Sequence, residues 1–426
     1  MTIENSLYIG VNGLTAHGDA ISVVGDNIAN TSTVGFKRER AMFSDMLGGV
    51  IAGQRAGGGV HLGAAQTMFE QGQITATGSP LDMAINGHGL FVVKGNHDGQ
   101  NANFYTRAGQ FSLDSKGYVV NPSGLRLQGY TMDAAGVRGN SVGDLALGAQ
   151  QSPAVATTTA KMTLNLDASS TPGVAFDPLN PATTSQYATS TTTFDSLGKA
   201  HQTQMYFHND GGGAWSWHAM VDGGDLTGGT AGVQTEIANG SMTFTTAGAL
   251  QSQTTAASSA NFLNATPGQA IAFNFGDDIA SGGTGLAGST QFAGTSAVSG
   301  TDIDGHAAGN LTDVRVNGDG TIEGIYDNGD KRTIAQVAIA AFQNEQGLSR
   351  DGDNLYSASA TSGQALVDNP STGKRGSISS GSLESSNVDL GNELVTLIAY
   401  QRAFQANAKT VTTADQMMSD INNLKQ

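Results

Sequence analysis

Residues 390–424 read LGNELVTLIAYQRAFQANAKTVTTADQMMSDINNL and carry an apolar side chain at every seventh position. A repeat of this period keeps one apolar stripe facing a partner helix. The stripe, here called the C-terminal seam, consists of Leu383, Leu390, Leu397, Phe404, Val411 and Met418. It predicts a helix over 390–424, ~50 Å long. Asp389 or Asn387 is the expected N-cap, and Glu393 lies in the first turn, where negative charge suits the helix dipole.

The start of the chain has the same period. This N-terminal seam consists of Leu7, Leu14, Ile21 and Ile28, with Val11 and Val24 on the adjacent face. The predicted helix over 4–29 contains several glycines, each costing up to ~1 kcal/mol relative to alanine. It should therefore be largely disordered until it is packed. The glycines would instead permit close approach of neighbouring backbones.

Matching seams at both ends predict that the terminal helices pair as a coiled coil and that other copies of the chain complete the bundle. An amphipathic helix more often packs on its own domain. We favour assembly because these helices carry small and amide residues, such as Asn27 and Asn407, rather than a charged outer face. The predicted self-assembly interface is Leu7, Leu14, Ile21, Ile28, Leu390, Leu397, Phe404, Val411 and Met418.

The composition is that of a secreted, β-rich structural chain. Among 426 residues, 13% are charged and 59 are glycine, and the formal net charge is -16. The negative charge is concentrated in residues 151–311, which hold Lys161 and Lys199 as their only lysines and no arginine. Such a surface disfavours nucleic acid as a partner.

The chain has no cysteine, which excludes disulfides and thiolate metal sites. Its start, MTIENSLYIGVNG, does not match a cleavable signal peptide. No stretch approaches the ~18 apolar residues that span a bilayer. The protein is therefore expected either to stay in the cytoplasm or to leave by a route that needs no signal peptide, and its adhesin-like middle favours leaving.

Short alternating runs separated by glycine, asparagine and proline predict strands between the helices. A Ser/Thr/Ala-rich passage at 150–163 reads as a linker. Trp215 and Trp217 alternate in one predicted strand, with one expected in the core and the other on the surface. The fold class is thus multidomain α+β with two nested, mainly-β domains. The predicted parts are 1–30 plus 386–426 as the helical assembly domain, 31–66 as a connecting segment, 67–150 plus 312–385 as an inner β domain, and 151–311 as an inserted outer β domain.

No motif predicts an enzyme. Gly139–Gly143 matches G-x-S-x-G around Ser141, but no helix is predicted after it, which favours a turn. Gly283–Gly288 matches G-x-G-x-x-G in a glycine-dense loop without a following helix. VNGDGTIEG around Asp319 lacks the first and last ligands of a calcium loop and indicates a hairpin turn. The histidines do not pair at metal-ligand spacing. We expect no catalytic residue, cofactor, metal or small-molecule substrate.

Longer stretches resemble the rod and hook axial proteins of the bacterial flagellum. IANTSTVGFKRER at 28–40 is similar to their N-terminal signature and LESSNVDLGNELVTLIAYQRAFQANAKTV at 383–411 to their C-terminal one. FEQGQITATGSPLDMAINGHGLFVV resembles their first β domain. TTTFDSLGKAHQTQMYF at 191–207 resembles a strand pair specific to hooks. His17 departs from the family, in which small residues are commoner at that position.

The resemblance implies a self-assembling structural subunit of the hook, the curved tube that acts as a universal joint and transmits torque from motor and rod to filament. It also implies passage through the flagellar type III export apparatus and an extracellular position in the hook and basal body. The implied partners are further copies of the chain, the distal rod protein, the hook cap protein and the hook–filament junction protein. The alternatives are a distal rod protein, which should be shorter and lack 151–311, and a secreted adhesin.

Overall fold

The chain forms two compact units in a computed structural model that describes residues 3–51, 54–133, 136–148 and 151–424. The base unit comprises Met1–Gln150, Asp313–Ile325 and Lys331–Gln426. The insert unit comprises Gln151–Thr312 and Tyr326–Asp330. The insert unit thus consists of one long continuous segment and one short segment of five residues, and the base unit supplies the chain before, between and after them.

Helices lie at both ends of the chain, as predicted. The terminal helices are α1 (Ile3–Ala29) and α3 (Leu390–Leu424). A third helix in the described residues, α2 (Pro181–Thr184), is a single turn in the insert unit. The Asp389 carboxylate accepts a hydrogen bond from the backbone N–H of Asn392 at 3.1 Å, which satisfies one of the free donors of the first turn of α3. Of the two N-caps that the sequence left open, Asp389 is therefore the one used.

Most other elements are strands. In chain order those in the described residues are β1 (Glu39–Ile51), β2 (Gln54–Thr67), β3 (Ile74–Ala76), β4 (Met83–Asn86), β5 (Leu90–His97), β6 (Gln100–Thr106), β7 (Ser112–Leu113), β8 (Val119–Val120), β9 (Arg126–Met132), β10 (Arg138–Asp144), β11 (Thr159–Asn165), β12 (Tyr187–Phe194), β13 (Ala200–Gly211), β14 (Ala214–Asp222), β15 (Gln234–Phe244), β16 (Leu250–Ser258), β17 (Ala272–Asn274), β18 (Ala297–Ile303), β19 (Leu311–Val316), β20 (Thr321–Tyr326), β21 (Lys331–Val337), β22 (Ile339–Ala341), β23 (Ser349–Gly352), β24 (Leu355–Ser357), β25 (Leu366–Asp368), β26 (Ser377–Ser380) and β27 (Ser382–Glu384).

The segment predicted only as a connection contains a long antiparallel hairpin. β1 pairs with β2 from Glu39 opposite Thr67 to Ile51 opposite Gln54, with shifts of register along the way. At one shift Gly59 takes a φ of +101°, a conformation that glycine adopts without the strain of a side chain. The hairpin forms a separate two-stranded sheet beside α1.

Strands from both sides of the insert share the main sheet of the base unit. β5 pairs with β6, β9 and β22, while β9 also pairs with β21 and β6 with β24. Tyr105 and Phe342 pack edge to face, with ring centroids 4.8 Å apart. The predicted hairpin turn around Asp319 is present between β19 and β20, where the N–H of Gly320 donates to the carbonyl of Asn317 at 2.9 Å.

The insert unit packs two sheets around an aromatic core. One sheet runs β12-β13-β14-β15-β16 and the other β17-β11-β18. The prediction that one of Trp215 and Trp217 lies on the surface was wrong, since both are 0% exposed. Residues two apart in a strand share one face, so both indoles point into the core. Trp217 lies 5.4 Å from Phe273 and 5.3 Å from Phe275 between ring centroids.

Two local predictions from composition were also wrong. The passage 150–163, predicted as a linker, contains the first residues of β11, and Ala160 and Met162 are buried in the insert core. The G-x-S-x-G match lies inside β10 rather than in a turn. In both places tertiary strand pairing overrides a local composition of small and polar residues.

Candidate functional site

The terminal helices α1 and α3 pack against each other in opposite directions. Gly10 lies against Val411 and Gly13 against Asn407, while the rings of His17 and Tyr400 are 6.0 Å apart. A methyl group on Gly10 would lie 2.8 Å from Cγ2 of Val411 and 3.5 Å from the carbonyl oxygen of Asn407. The glycines therefore permit a closer approach of the two backbones than any other residue would allow.

The N-terminal seam is not the most buried face of α1. Its predicted members Leu7, Leu14, Ile21 and Ile28 are all half-buried. The buried positions are smaller or polar: Gly10, Gly13, Ala16, Ala20, Val24 and Asn27. In a straight α-helix, residues seven apart drift by about 20° per repeat, so a strict seven-residue seam cannot stay on one face. The large apolar side chains flank a contact made by the small ones.

The C-terminal seam changes its surroundings along α3. Leu390 is 49% exposed and Phe404 39%, whereas Leu397, Val411 and Met418 are half-buried. Of the nine predicted interface residues, Val411 lies against Gly10 of α1, and a methyl group on Gly18 of α1 would lie 3.8 Å from Cε2 of Phe404. Leu383, the first predicted member of the seam, lies in β27 rather than in a helix and is half-buried. Within α3 the seam is largely uncovered at Leu390 and comes to lie against α1 further along.

α3 also carries apolar side chains outside the predicted seam that the rest of the described chain does not cover. They are Leu394, Val395, Ile398, Met417 and Ile421, all at least 44% exposed. Leu390, Leu394 and Ile398 follow one another at intervals of four, which places them on one face of the helix. Sequence reasoning missed this face because it selected residues by period seven. The sequence did contain a signal for this face, namely apolar residues at intervals of four from Leu390 to Ile398.

The β1–β2 hairpin is attached to α1 by hydrogen bonds and aromatic contacts. The Asn12 amide donates to the carbonyl of Gly58 at 3.0 Å. The buried Asn27 amide donates to the carbonyl of Glu39 at 2.7 Å and accepts from its N–H at 2.8 Å. Phe43 of β1 stacks near His17 of α1, with centroids 5.2 Å apart.

Phe43 also lies 5.7 Å from the Tyr400 ring of α3, so three aromatic rings join α1, α3 and the hairpin. His17, which the sequence resemblance suggested as unusual, stands at this junction. The predicted amides Asn27 and Asn407 both have structural partners, whereas Gln401 and Gln405 are exposed.

A buried ionic cluster joins the two chain ends to the β sheet. Lys37, just after α1, donates from Nζ to Glu384 at 2.6 Å and to the carbonyl of Glu70 at 2.6 Å. Arg107 donates from Nε to the other oxygen of Glu384 and from Nη2 to the carbonyls of Ile85 and Gly87. Lys37 and Glu384 are 1% and 0% exposed, respectively.

The charges in this cluster stabilise one another. Burial acts to raise the pKa of the Glu384 carboxyl, but the charges and hydrogen bonds of Arg107 and Lys37 prevail and hold that pKa below its ordinary value of 4.5. Burial lowers the pKa of Lys37, against the opposing effect of Glu384. Glu384 also accepts from the N–H of Gly72 at 2.7 Å. Both oxygens of this carboxylate thus accept hydrogen bonds from within the protein.

A second polar link runs beside the cluster. Asn387, the rejected N-cap, accepts from the N–H of Arg38 at 2.7 Å and donates to the carbonyls of Met68 and Glu70. Sequence reasoning missed Lys37, Arg107 and Glu384 as functional residues. Lys37 and Glu384 lie within the two terminal signatures and Arg107 follows β6, but no one-dimensional pattern pairs residues 347 positions apart.

The described residues offer no cluster of His, Asp and Glu side chains that could hold a metal ion. In the same part of the chain, none of the helices is both long and apolar enough to cross a bilayer. The geometry assembled above is that of packing surfaces and a structural joint.

Four family models match consecutive parts of the chain. The Flagella basal body rod protein model matches residues 7–37, and the Flagellar hook protein FlgE/F/G D1 domain matches 84–166. The Flagellar basal body protein FlaE D2 domain matches 165–306, and the Flagellar basal body rod FlgEFG protein C-terminal model matches 379–424. The D2 match covers most of the insert that a distal rod protein is expected to lack.

Curated relatives match over nearly their whole length. Flagellar hook protein FlgE of Escherichia coli K12 is 34% identical over 429 residues, covering 97% of this chain and 98% of the relative. Flagellar hook protein FlgE of Salmonella typhimurium is 32% identical over 422 residues, covering 97% and 98%. The crystal structure of Helicobacter pylori flagellar hook protein FlgE2 covers 73% of this chain and 100% of that one, with a TM-score of 0.47 and 16% identity.

The fold combines terminal helices with several β domains. The matching proteins are structural proteins of the flagellar hook and basal body. The chain therefore belongs to the flagellar hook protein FlgE family and is a structural subunit of the bacterial flagellar hook.

Proposed function

We propose that α1 and α3 pair as a coiled coil and that this pair packs against further copies of the chain to form the wall of the hook. The observation that carries the proposal is the uncovered apolar face of α3, in which Leu390, Leu394 and Ile398 succeed one another on one side. Exposed apolar faces of this kind mark surfaces that another molecule covers. A second copy is the natural occupant because it offers a matching helix of low charge.

The predicted interface residues have complementary roles in this proposal. Val411 contacts Gly10 inside one chain, and the half-buried Leu7, Leu14, Ile21, Ile28, Leu397 and Met418 border that contact. The exposed Leu390, and the part of the Phe404 ring that Gly18 of α1 leaves uncovered, lie toward neighbouring copies. Half-buried side chains at the border become fully buried once neighbours arrive, which supplies ~25 cal/mol per Å² of apolar surface removed from water.

The ionic cluster gives the helix pair a fixed attachment to the sheet of the base unit. A universal joint must resist twisting while it bends, so each subunit needs at least one rigid connection inside it. Lys37, Arg107 and Glu384 provide that connection because all three are buried and the Glu384 carboxylate is bonded to both cations. We propose that torque passes through this cluster, while polar Ser/Thr/Asn surfaces exchange hydrogen bonds between copies at little net cost during bending.

The wider setting follows from the family. We propose that the chain leaves the cell through the flagellar type III export apparatus and takes an extracellular position, with the distal rod protein, the hook cap protein and the hook–filament junction protein as its non-self partners. We further propose that it acts without catalysis and without a cofactor. We propose four working parts. They are the helical assembly domain (1–30 plus 386–426), the connecting segment (31–66), the inner β domain (67–150 plus 312–385) and the inserted outer β domain (151–311).

Electron microscopy of basal bodies from cells lacking this gene tests the assignment. Complete rods that end without a hook are the expected result. Truncated rods would move the protein to the distal rod, and intact flagella would return it to the adhesin alternative. Restoring the gene with Ile398→Gln, which adds a polar group to the exposed face, should give folded subunits but no hooks. Gln405→Ala, an exposed change on the same helix, is the matched control and should restore them.

A further inference from the structure

Seven-residue seams do not by themselves determine how α1 and α3 are aligned. Sliding one helix past the other by seven residues again sets apolar positions opposite apolar positions. The alignment in the structure nevertheless places Gly10 at Val411 and Gly13 at Asn407. The buried link of Lys37 to Glu384 tethers the segment after α1 to the segment before α3. Within the helix contact itself, a feature that does not repeat every seven residues is needed to select this register over its neighbours.

The contact between Gly13 and Asn407 is such a feature. A methyl group on Gly13 would lie 2.7 Å from Cγ, 2.7 Å from Oδ1 and 2.8 Å from Nδ2 of Asn407. All three amide atoms are thus equally close, so the flat amide covers the glycine. Its Nδ2 donates to the carbonyl of Ala403 at 3.0 Å, one turn earlier in α3, which holds the side chain in this orientation.

The neighbouring registers do not offer a glycine to this amide. The positions of α1 that lie seven residues from Gly13 are Ser6 and Ala20, and both carry a side chain where the amide would lie. Ala20 is itself fully buried. In either shifted register the Asn407 amide must rotate, lose its bond to Ala403 or push the helices apart. A single polar residue within the packed contact of a coiled coil is a known means of specifying register at some expense of stability.

We propose that Asn407, seated on Gly13, is the positioning residue that fixes the register of α1 against α3. The proposal rests on the helix pairing proposed above and adds the residue pair that makes this pairing unique. Gly10 then permits close approach to Val411 in the selected register, whereas the Asn407 amide and Gly13 select that register.

The absence of cysteine makes the register directly measurable. We would introduce Gly10→Cys with Val411→Cys for the observed register, and Gly10→Cys with Phe404→Cys or Met418→Cys for the two shifted ones. The full-length chain is assembled into polymer, equilibrated in a thiol–disulfide buffer and separated on denaturing gels, where disulfides within a chain and between chains migrate differently. The 10/411 pair should form at least about ten times more intrachain disulfide than either shifted pair, the ratio given by ~1.4 kcal/mol of preference.

Adding Asn407→Val should then spread disulfide formation to the shifted pairs while leaving thermal stability equal or higher. Gln405→Val is the matched control, since it removes an exposed amide from the same helix, and it should keep the 10/411 preference. Lower stability with an unchanged preference would show that Asn407 merely fills space and would overturn the proposal.

A second variant covers the case in which Asn407→Val fails to assemble. Gly13→Ala should also spread the disulfides, whereas Gly25→Ala, at a position with no neighbour within 4 Å, should not. Equal patterns for these two alanine variants overturn the register proposal alone. If the 10/411 pair forms no intrachain disulfide although polymer assembles, the helix pairing of the proposed function is itself wrong.

Discussion

The insert unit encloses its largest apolar side chains, whereas α3 leaves much of its apolar surface uncovered. In the insert, Trp215, Trp217 and Phe275 lie between two sheets with at most 1% exposure. On α3, Val395 is 68% exposed, and Leu390, Leu394 and Ile398 form an open face. Both regions contain large apolar side chains. They differ in whether the same region buries those side chains.

This difference separates two tasks of the subunit. The insert has a closed core of its own and can hold its fold without neighbours. The terminal helices contact each other mainly through small residues of α1, and their larger apolar side chains lie at the border of that contact. We propose that a region built in this way gains its full stability only when other copies cover it. Assembly surfaces are therefore to be sought where the folded chain leaves apolar groups open.

Trp217→Ala should have one of the two largest effects, and it should be confined to the insert. Removing a fully buried tryptophan costs about 3–5 kcal/mol because a cavity remains. Both tryptophans lie in the insert, so the fluorescence of the remaining Trp215 reports its unfolding in denaturant, while hydrogen exchange follows the base unit. Leu179→Ala, at an exposed position, is the control and should change little. Equal destabilisation of the base unit would contradict the independence of the two cores.

Glu384→Gln should destabilise the base unit by about 3–5 kcal/mol, because Lys37 and Arg107 would lose their buried negative partner. Hydrogen exchange of β3, β4 and β27 should rise while the tryptophan transition of the insert stays in place. Glu70→Gln is the matched control, since Glu70 pairs with Arg38 at the surface, where an ion pair contributes ~0–1 kcal/mol. A similar loss in both variants would mean that burial of the cluster has no special role.

Leu397→Ala should weaken the polymer by about 2–4 kcal/mol at each site that assembly buries. Unfolding of the insert should be unaffected, since Leu397 lies on α3. The critical concentration for polymerisation, measured by sedimentation, should rise while the tryptophan transition is unchanged. A variant that unfolds as a monomer yet still polymerises would show that the seam is an internal core.

The pH dependence of the base unit should follow Glu384. Its pKa in the folded chain lies below the ordinary 4.5, so the charged form is favoured by folding. The resulting stabilisation is present above 4.5 and is lost as the pH falls through the lowered folded value. The stability difference between the native chain and Glu384→Gln, measured in denaturant at descending pH, should shrink below 4.5. A difference that stays constant would rule out the ionised carboxylate as its source.

Sequence reasoning succeeded where the physical signal is local and periodic. The helices over Ile3–Ala29 and Leu390–Leu424, the Asp389 cap and the turn at Gly320 are all set by neighbouring residues. It was wrong for Trp215 and Trp217, where the period of two was misapplied. It could not anticipate the cluster of Lys37, Arg107 and Glu384, because partners up to 347 positions apart are brought together only by tertiary contacts, among them the pairing of β27 with β3.

The seams show the limit more finely. Period seven correctly indicated that both ends are helical, but it did not reveal which face each helix buries against the other. The buried face of α1 is defined by Gly10, Gly13 and Ala20, whose small size carries little hydrophobic signal. The size of neighbouring side chains, which decides this contact, is visible only once the two helices are placed together.

Hydrogen exchange of α3 in the free subunit and in the polymer, read by mass spectrometry against the insert as an internal reference, tests the central claim most directly. The account predicts fast exchange across Leu390–Leu424 in the free subunit, strong protection in the polymer, and no change in the insert strands. Equal protection of α3 in both states would show that the helices are complete within one chain, and would contradict their role as the surface on which copies assemble.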